Sequence, residues 1–222
     1  MRFPAALVII AAAAGHAAAQ STSAPSRTAQ DPTPAGTAES GGSAWSASAS
    51  VYAYVVPEDD DFLQPTVTAD RGRLHLEARY NYEDFNTGSL WVGYNLKVDG
   101  DVALVFTPMI AGVAGDTDGV APGFNLSIDW WRLAFFSQCE HVFDTDGSEE
   151  SFFYSWAELS AWPLDWLGAG VVVQRTKVAG LDFEAEPGVL VGLAWKDLSV
   201  SVYVFNLDES DHTVVVGAGL SF

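Results

Sequence analysis

The chain has 222 residues, of which 29 are acidic and 10 basic, giving a net charge of −19; it is 49% hydrophobic and has one cysteine. That length suits a single domain. So strong an acidic excess excludes a surface that binds nucleic-acid phosphates, and a lone Cys139 excludes any internal disulfide.

Residues 1–19 (MRFPAALVIIAAAAGHAAA) have the form of a secretory signal peptide. Arg2 supplies the charged start, 3–14 are almost wholly apolar, and Ala17, Ala18 and Ala19 give a small-x-small cleavage pattern before Gln20. The apolar run falls short of the roughly 20 residues a spanning helix needs, and no cysteine stands at the cleavage point to carry a lipid anchor. Residues 20–44 lack bulky apolar side chains and predict a disordered tether, because they have too little surface to bury. The folded part is expected over 45–222. No later apolar run could cross a bilayer as a helix, so a membrane protein with this sequence must span as strands closed into a barrel.

From Trp45 onward the dominant period is two. RLHLEARYNYE (73–83) sets Leu74, Leu76, Ala78, Tyr80 and Tyr82 against His75, Glu77, Arg79, Asn81 and Glu83. FNLSIDW (124–130) and WSASASVYAYV (45–55) alternate in the same way. Short connections (68–73, 98–101, 129–132, 162–166, 195–197) alternate with longer or more acidic ones (57–61, 83–88, 115–123, 144–150, 176–188, 207–212). They delimit twelve strands, near 45–56, 62–69, 72–83, 87–97, 101–113, 121–129, 131–143, 150–162, 166–176, 186–195, 197–207 and 211–222. Most have roughly the 9–11 residues of a tilted membrane strand. An even number puts both termini on one side, which for a bacterial barrel is the periplasm. The weakest of the twelve is 62–69, interrupted by Pro65.

The chain ends VVVGAGLSF. An apolar strand finishing on an aromatic ring is awkward in a soluble domain, where such a terminus frays and needs a partner. The same ending suits a closing barrel strand whose ring lies at the lipid–water boundary. Trp45, Trp130, Trp131, Trp162, Trp166 and Trp195 all fall at strand ends on the short-turn side, with Phe222 beside them, and predict an interfacial girdle there. The signal peptide, alternating strands, turn asymmetry and terminal Phe222 together resemble a Gram-negative outer-membrane β-barrel protein of porin-like architecture. Leu220 and Gly217 resemble the carboxy-terminal signal read by the barrel-assembly machinery, although Val215 stands where a polar residue is usual. The resemblance implies an all-β, antiparallel transmembrane barrel exported to the outer membrane, in contact with its lipids and lipopolysaccharide. A soluble lipocalin-like or sandwich domain would have to expose Leu, Val and Trp on nearly every strand.

Parity assigns His75, Glu77, Arg79, Asn81, Asn95, Lys97, Asn125, Asp129, Gln138, Glu140, Tyr154 and Glu158 to the lumen. Such a lining serves either as an ion-paired filling or as a hydrated path whose charges set ion preference. The last three strands place small or apolar residues inward, Gly192, Gly217 and Gly219 among them, leaving room for an inserted segment. Acidic runs at 58–61, at 144–150 (Asp144, Asp146, Glu149, Glu150) and at 208–211 form a solvated rim that favours cations. They offer at most loose Ca²⁺ or Mg²⁺ binding, bridging to lipopolysaccharide, with no defined metal site and no cofactor. Outer-membrane phospholipase A carries a serine and a histidine on its lipid-facing wall. His141 and Ser155 have outward parity on neighbouring strands, which makes them the only catalytic candidates, without a third group to orient the base. Function thus reads first as a narrow channel or passive pore, with a non-conducting surface barrel and a lipid-modifying enzyme as alternatives. The sequence specifies neither a solute nor an oligomeric state.

Overall fold

A computed structural model describes residues 44–57, 60–145, 151–208 and 211–222. The signal segment 1–19, the tether up to residue 43, and Glu58, Asp59, Asp146, Glu149, Glu150 and Glu209 of the acidic runs lie outside the described residues.

The strands are β1 (Ser46–Val55), β2 (Phe62–Arg71), β3 (Leu74–Tyr80), β4 (Gly88–Tyr94), β5 (Leu96–Val98), β6 (Val102–Ala114) and β7 (Gly119–Trp130). They continue with β8 (Leu133–Asp144), β9 (Phe152–Leu164), β10 (Leu167–Val178), β11 (Glu184–Trp195), β12 (Leu198–Phe205) and β13 (Thr213–Ser221). Each pairs antiparallel with its neighbours in sequence, except that β4 and β5 both pair with β6 and not with each other, and β13 pairs with β1 to join the ends. Segments β4 and β5 are two halves of one crossing. Gly93 faces Met109 and Leu96 faces Phe106 in a single register along β6, interrupted at Tyr94 and Asn95. The result is a closed antiparallel barrel of twelve crossings.

The interrupted segment 62–69 is a full strand, longer than the sequence suggested. Pro65 faces Val51 on β1, while pairing with β3 begins one residue later, at Thr66 opposite Arg79. The missing N–H therefore falls just beyond the ladder that would need it. The predicted strand 72–83 ends earlier, at Tyr80, because Asn81 turns the chain with φ 53°.

Period two divides the wall cleanly. On β10 the outward residues are Leu167, Ala169, Val171, Val173, Arg175 and Lys177, and the inward ones include Gly168, Gly170, Val172 and Gln174. The short hairpin turns need a left-handed residue. Gly72 provides one at φ 63°, but Trp131 provides another at φ 54°, where a side chain costs about 1 kcal/mol. The indole at that turn is 82% exposed, so its place is not explained by packing within the protein. Pairing runs to the last residue: Phe222 N donates to Ala47 O at 2.8 Å.

Candidate functional site

The inward faces converge on a belt of buried side chains to which every crossing contributes. Tyr54, Gln64, Arg79, Trp91, Met109 and Ala121 come from β1, β2, β3, β4, β6 and β7. Gln138, Trp156, Val172, Leu190, Tyr203 and Val215 come from β8 to β13. None of the twelve is more than 7% exposed. A ring of lining residues around an open aqueous path would be wetted; this one is not.

At its centre Arg79 reaches from β3 across the lumen to β8. Its Nε donates to Glu77 Oε1 at 2.5 Å and its Nη1 to Glu140 Oε2 at 2.7 Å, with Glu83 Oε1 at 3.7 Å. The Gln138 amide, in the orientation that satisfies its neighbours, accepts from both Nη1 and Nη2 at 2.8 Å. Tyr82 and Trp91 rings lie 4.2 and 4.3 Å from the guanidinium carbon. A planar fork with five donors suits this arrangement of several carboxylates. The network continues toward the turn end. His75 Nε2 is 3.1 Å from Glu77 Oε2 and its Nδ1 is 2.9 Å from Asp70 Oδ1; Asn95 donates to the same Asp70 oxygen at 2.6 Å and accepts from Thr107.

Two further contacts cross the lumen. Trp156 on β9 packs edge-on against Tyr203 and Phe205 of β12, with centroids at 5.2 and 5.5 Å. Tyr203 Oη donates to Glu158 Oε2 on β9 at 3.3 Å.

The β3–β4 connection, 81–87, folds into the barrel mouth. Tyr82 is buried with its ring edge-on to Tyr154 at 6.2 Å, and Phe85 packs on Phe62. Glu83 is buried and accepts from Ser89 Oγ at 2.5 Å; burial lifts its carboxyl above the usual range, with Arg79 opposing the shift. Asn81 is not a lumen residue but caps this loop, accepting from Asn86 N at 2.9 Å and donating to Leu63 O. Thr117 ties the next loop to it, donating to Asp84 Oδ2 at 2.8 Å.

Of the other residues assigned inward, His75, Glu77, Asn95, Asn125, Gln138, Glu140 and Tyr154 are buried in the lumen. Asp129 and Glu158 are partly exposed there, and Lys97 has inward parity but is exposed near the turn end. The small residues on the last strands leave no room for another segment, because the barrel's own rings occupy it. A Cβ on Gly217 would stand 2.6 Å from the Tyr52 ring, and one on Gly192 3.0 Å from Trp162. Gly217→Ala is expected to destabilise the barrel by about 1–3 kcal/mol through overpacking. Adding Tyr52→Ala should recover part of that loss, as measured by urea titration of the folded gel band; additive losses would refute the contact.

Trp45, Trp130, Trp131, Trp166, Trp195 and Phe222 are exposed at the turn end of the wall. Trp162 departs from that girdle. Alternation from Glu158 and Ser160 carries the indole inward over Gly168, where the β9–β10 register shifts between Leu167 and Ala169, and its Nε1 donates to Ser160 Oγ at 3.1 Å. On the outer wall Ser155 faces Cys139 and Arg175, while His141 faces Phe153 and packs on Phe143 at 4.3 Å. His141 and Ser155 are diagonal, and no hydrogen bond joins them among the described residues. No cluster of metal-ligating side chains occurs among the described residues.

No protein-family model matches the chain, and no curated protein does. Among solved structures it is similar to the KdgM porin, with a TM-score of 0.61 at 13% identity over 79% of this chain and 99% of that one. The KdgM porin in complex with disordered oligogalacturonate gives 0.59 at 13% identity, covering 79% and 99%. The NanC porin gives 0.56 at 10% identity, covering 78% and 98%. At such identities the likeness is one of fold: a porin-like outer-membrane β-barrel.

Proposed function

We propose that this protein is an outer-membrane channel of porin fold whose lumen is held shut at rest by its own side chains, and which favours small cations when it opens. The belt contributed by all twelve crossings carries the closed state. Two observations support a channel that opens over an inert filling. The fold is that of porins, and the belt is not a fully satisfied core. Tyr54 Oη, Glu83 Oε2, Glu140 Oε1, Tyr154 Oη and Gln174 Oε1 are buried without hydrogen-bond partners among the described residues. Each such atom costs about 1–3 kcal/mol, which a permanently closed core would avoid.

Cation preference follows from the charges along the path. Asp70, Glu77, Glu83, Asp129, Glu140, Glu158 and Glu186 outnumber His75, Arg79 and Lys97, and Asp60, Asp61, Asp116, Asp118, Asp208 and Asp211 are exposed at or beside the loop end. Such a path repels polyanions. Oligogalacturonate, present in one KdgM complex, is an anionic oligosaccharide and does not fit this lining. On this reading the 81–87 and 115–118 loops face the outside and both termini of the barrel strands face the periplasm, with insertion by the barrel-assembly machinery.

The test has two steps. Outer membranes from a Gram-negative host expressing the chain should contain a band whose mobility changes on boiling; a soluble periplasmic product would sink the membrane assignment. In planar bilayers the purified barrel should show no steady open current at low voltage, and brief openings that prefer K⁺ to Cl⁻. A large steady current or anion preference would overturn the closed, cation-favouring reading. Zero current at every voltage, in the wild type and in lumen-truncated variants alike, would make it a surface barrel.

A further inference from the structure

Basic residues are scarce in this chain, and their placement is uneven. Among the described residues Arg71, Arg73, Arg132 and Lys196 lie in or beside the short turns, Lys97 lies near the turn end, and Arg79 lies in the lumen. Arg175 and Lys177 are the exceptions: they are exposed, and they point outward near the loop end of β10. Neither has an ion pair or hydrogen bond among the described residues.

Their height on the wall is informative. Below them the outward face of β10 is Leu167, Ala169, Val171 and Val173, so the wall changes from apolar to basic in one step. From Trp166 at the turn end, a rise of about 3.3 Å per residue and a tilt of about 40° put Arg175 and Lys177 roughly 23–28 Å up the wall. The apolar band of such barrels is about 25 Å tall. The pair thus lies at the far headgroup level, roughly 7 Å apart on one strand face, close enough for both chains to reach one phosphate. His141, level with Lys177 through Phe153, adds an imidazole on the same outward surface, and exposed Phe143 and Phe183 flank the row.

The geometry points to a binding site on the outer wall of β8–β10 for a phosphate of the outer leaflet's phosphorylated glycolipid, lipopolysaccharide. This inference rests on the outer-membrane reading. It differs from divalent bridging through the acidic rim, since Arg175 and Lys177 contact the phosphate directly. In a chain of net charge −19, a basic pair that faces the leaflet with no ion pair among the described residues is complementary to that headgroup.

The test uses the full folded barrel and bisphosphorylated lipid A, with dephosphorylated lipid A and phosphatidylglycerol as comparison lipids. Bound lipid is read by native mass spectrometry. The Arg175→Ser/Lys177→Ser double variant should bind lipid A roughly thirty-fold more weakly than wild type. Wild type should bind the dephosphorylated lipid as weakly as the variant does, and chelation of divalent cations should leave its lipid A binding in place. Equal binding by variant and wild type overturns the site. Equal affinity for phosphatidylglycerol overturns the assignment to glycolipid, and loss on chelation returns the contact to the acidic rim. Both proteins are first checked for heat-modifiable mobility. A variant that folds and binds normally refutes the site alone, whereas a wild type that lacks the mobility shift refutes the barrel and this inference with it.

Discussion

Arg79→Met should produce the largest loss of stability of any single substitution in the lumen, on the order of 3–5 kcal/mol. The reason lies in what is left behind. Glu77, Glu83 and Glu140 are buried around one guanidinium, and removing it strands Glu83 and Glu140 without a counter-charge and leaves Glu77 only His75. Arg79→Lys should recover only part of the loss, because a point charge cannot reach several acceptors at the angles the fork does. Combining Arg79→Met with Glu77→Gln, Glu83→Gln and Glu140→Gln should recover more, since the stranded charges go with their partner. Urea titration of the unboiled gel band in lipid gives the midpoints. An Arg79→Met midpoint equal to that of wild type would mean the cluster does not hold the lumen together.

The second large effect is on conductance. Tyr154→Ala/Trp156→Ala removes the two rings that β9 sends into the belt and its centre, along with the contacts to Tyr82, Tyr203 and Phe205. Truncating a packed core usually leaves a cavity costing several kcal/mol. Here the cavity opens toward both barrel ends, so water can fill it. A twelve-strand barrel lies between those that side chains fill and those that leave an aqueous channel. The double variant should therefore pass a steady current at least roughly ten-fold above wild type, still favouring cations. Tyr52→Ala, nearer the turn end and outside the belt, should change the current far less. An unchanged current in the double variant would place the barrier elsewhere.

What the sequence made legible was the wall. Alternation over RLHLEARYNYE and FNLSIDW identifies a strand and its two faces, and the contrast between short and long connections orients the strands relative to one another. Its limits were physical. Parity says that Arg79 points inward; it does not say that a long guanidinium crosses the lumen to Glu140, because reach depends on curvature and stagger. Trp162 stands at a strand end, which predicts a girdle residue, yet it keeps the inward parity of Glu158 and Ser160, so position along a strand does not by itself decide the face. Alternation carries the strand through Asn81, yet asparagine tolerates left-handed backbone, and there it ends β3. The inward fold of 81–87 has one signal in the sequence: a loop carrying Tyr82 and Phe85 is more apolar than a solvated rim would require. Glycines taken as empty space proved to be recesses for neighbouring rings, which no single strand's pattern reveals.

The seam between β1 and β13 has a consequence for how the barrel forms. Every other pairing joins strands adjacent in the chain, and can zip outward from its own hairpin. The seam alone brings Ser48 to Ser221 and Val55 to Val214, the most sequence-distant contacts in the molecule. Its entropic cost at equilibrium is small, because loop closure grows only with the logarithm of length. Its kinetic cost is larger, since contacts of long sequence separation slow folding. Until that pairing forms, the molecule is a curled sheet with two bare edges, the form most exposed to aggregation. Barrel formation therefore ends in a single late step, and the yield of closed barrel depends on those two edges meeting each other before they meet other chains.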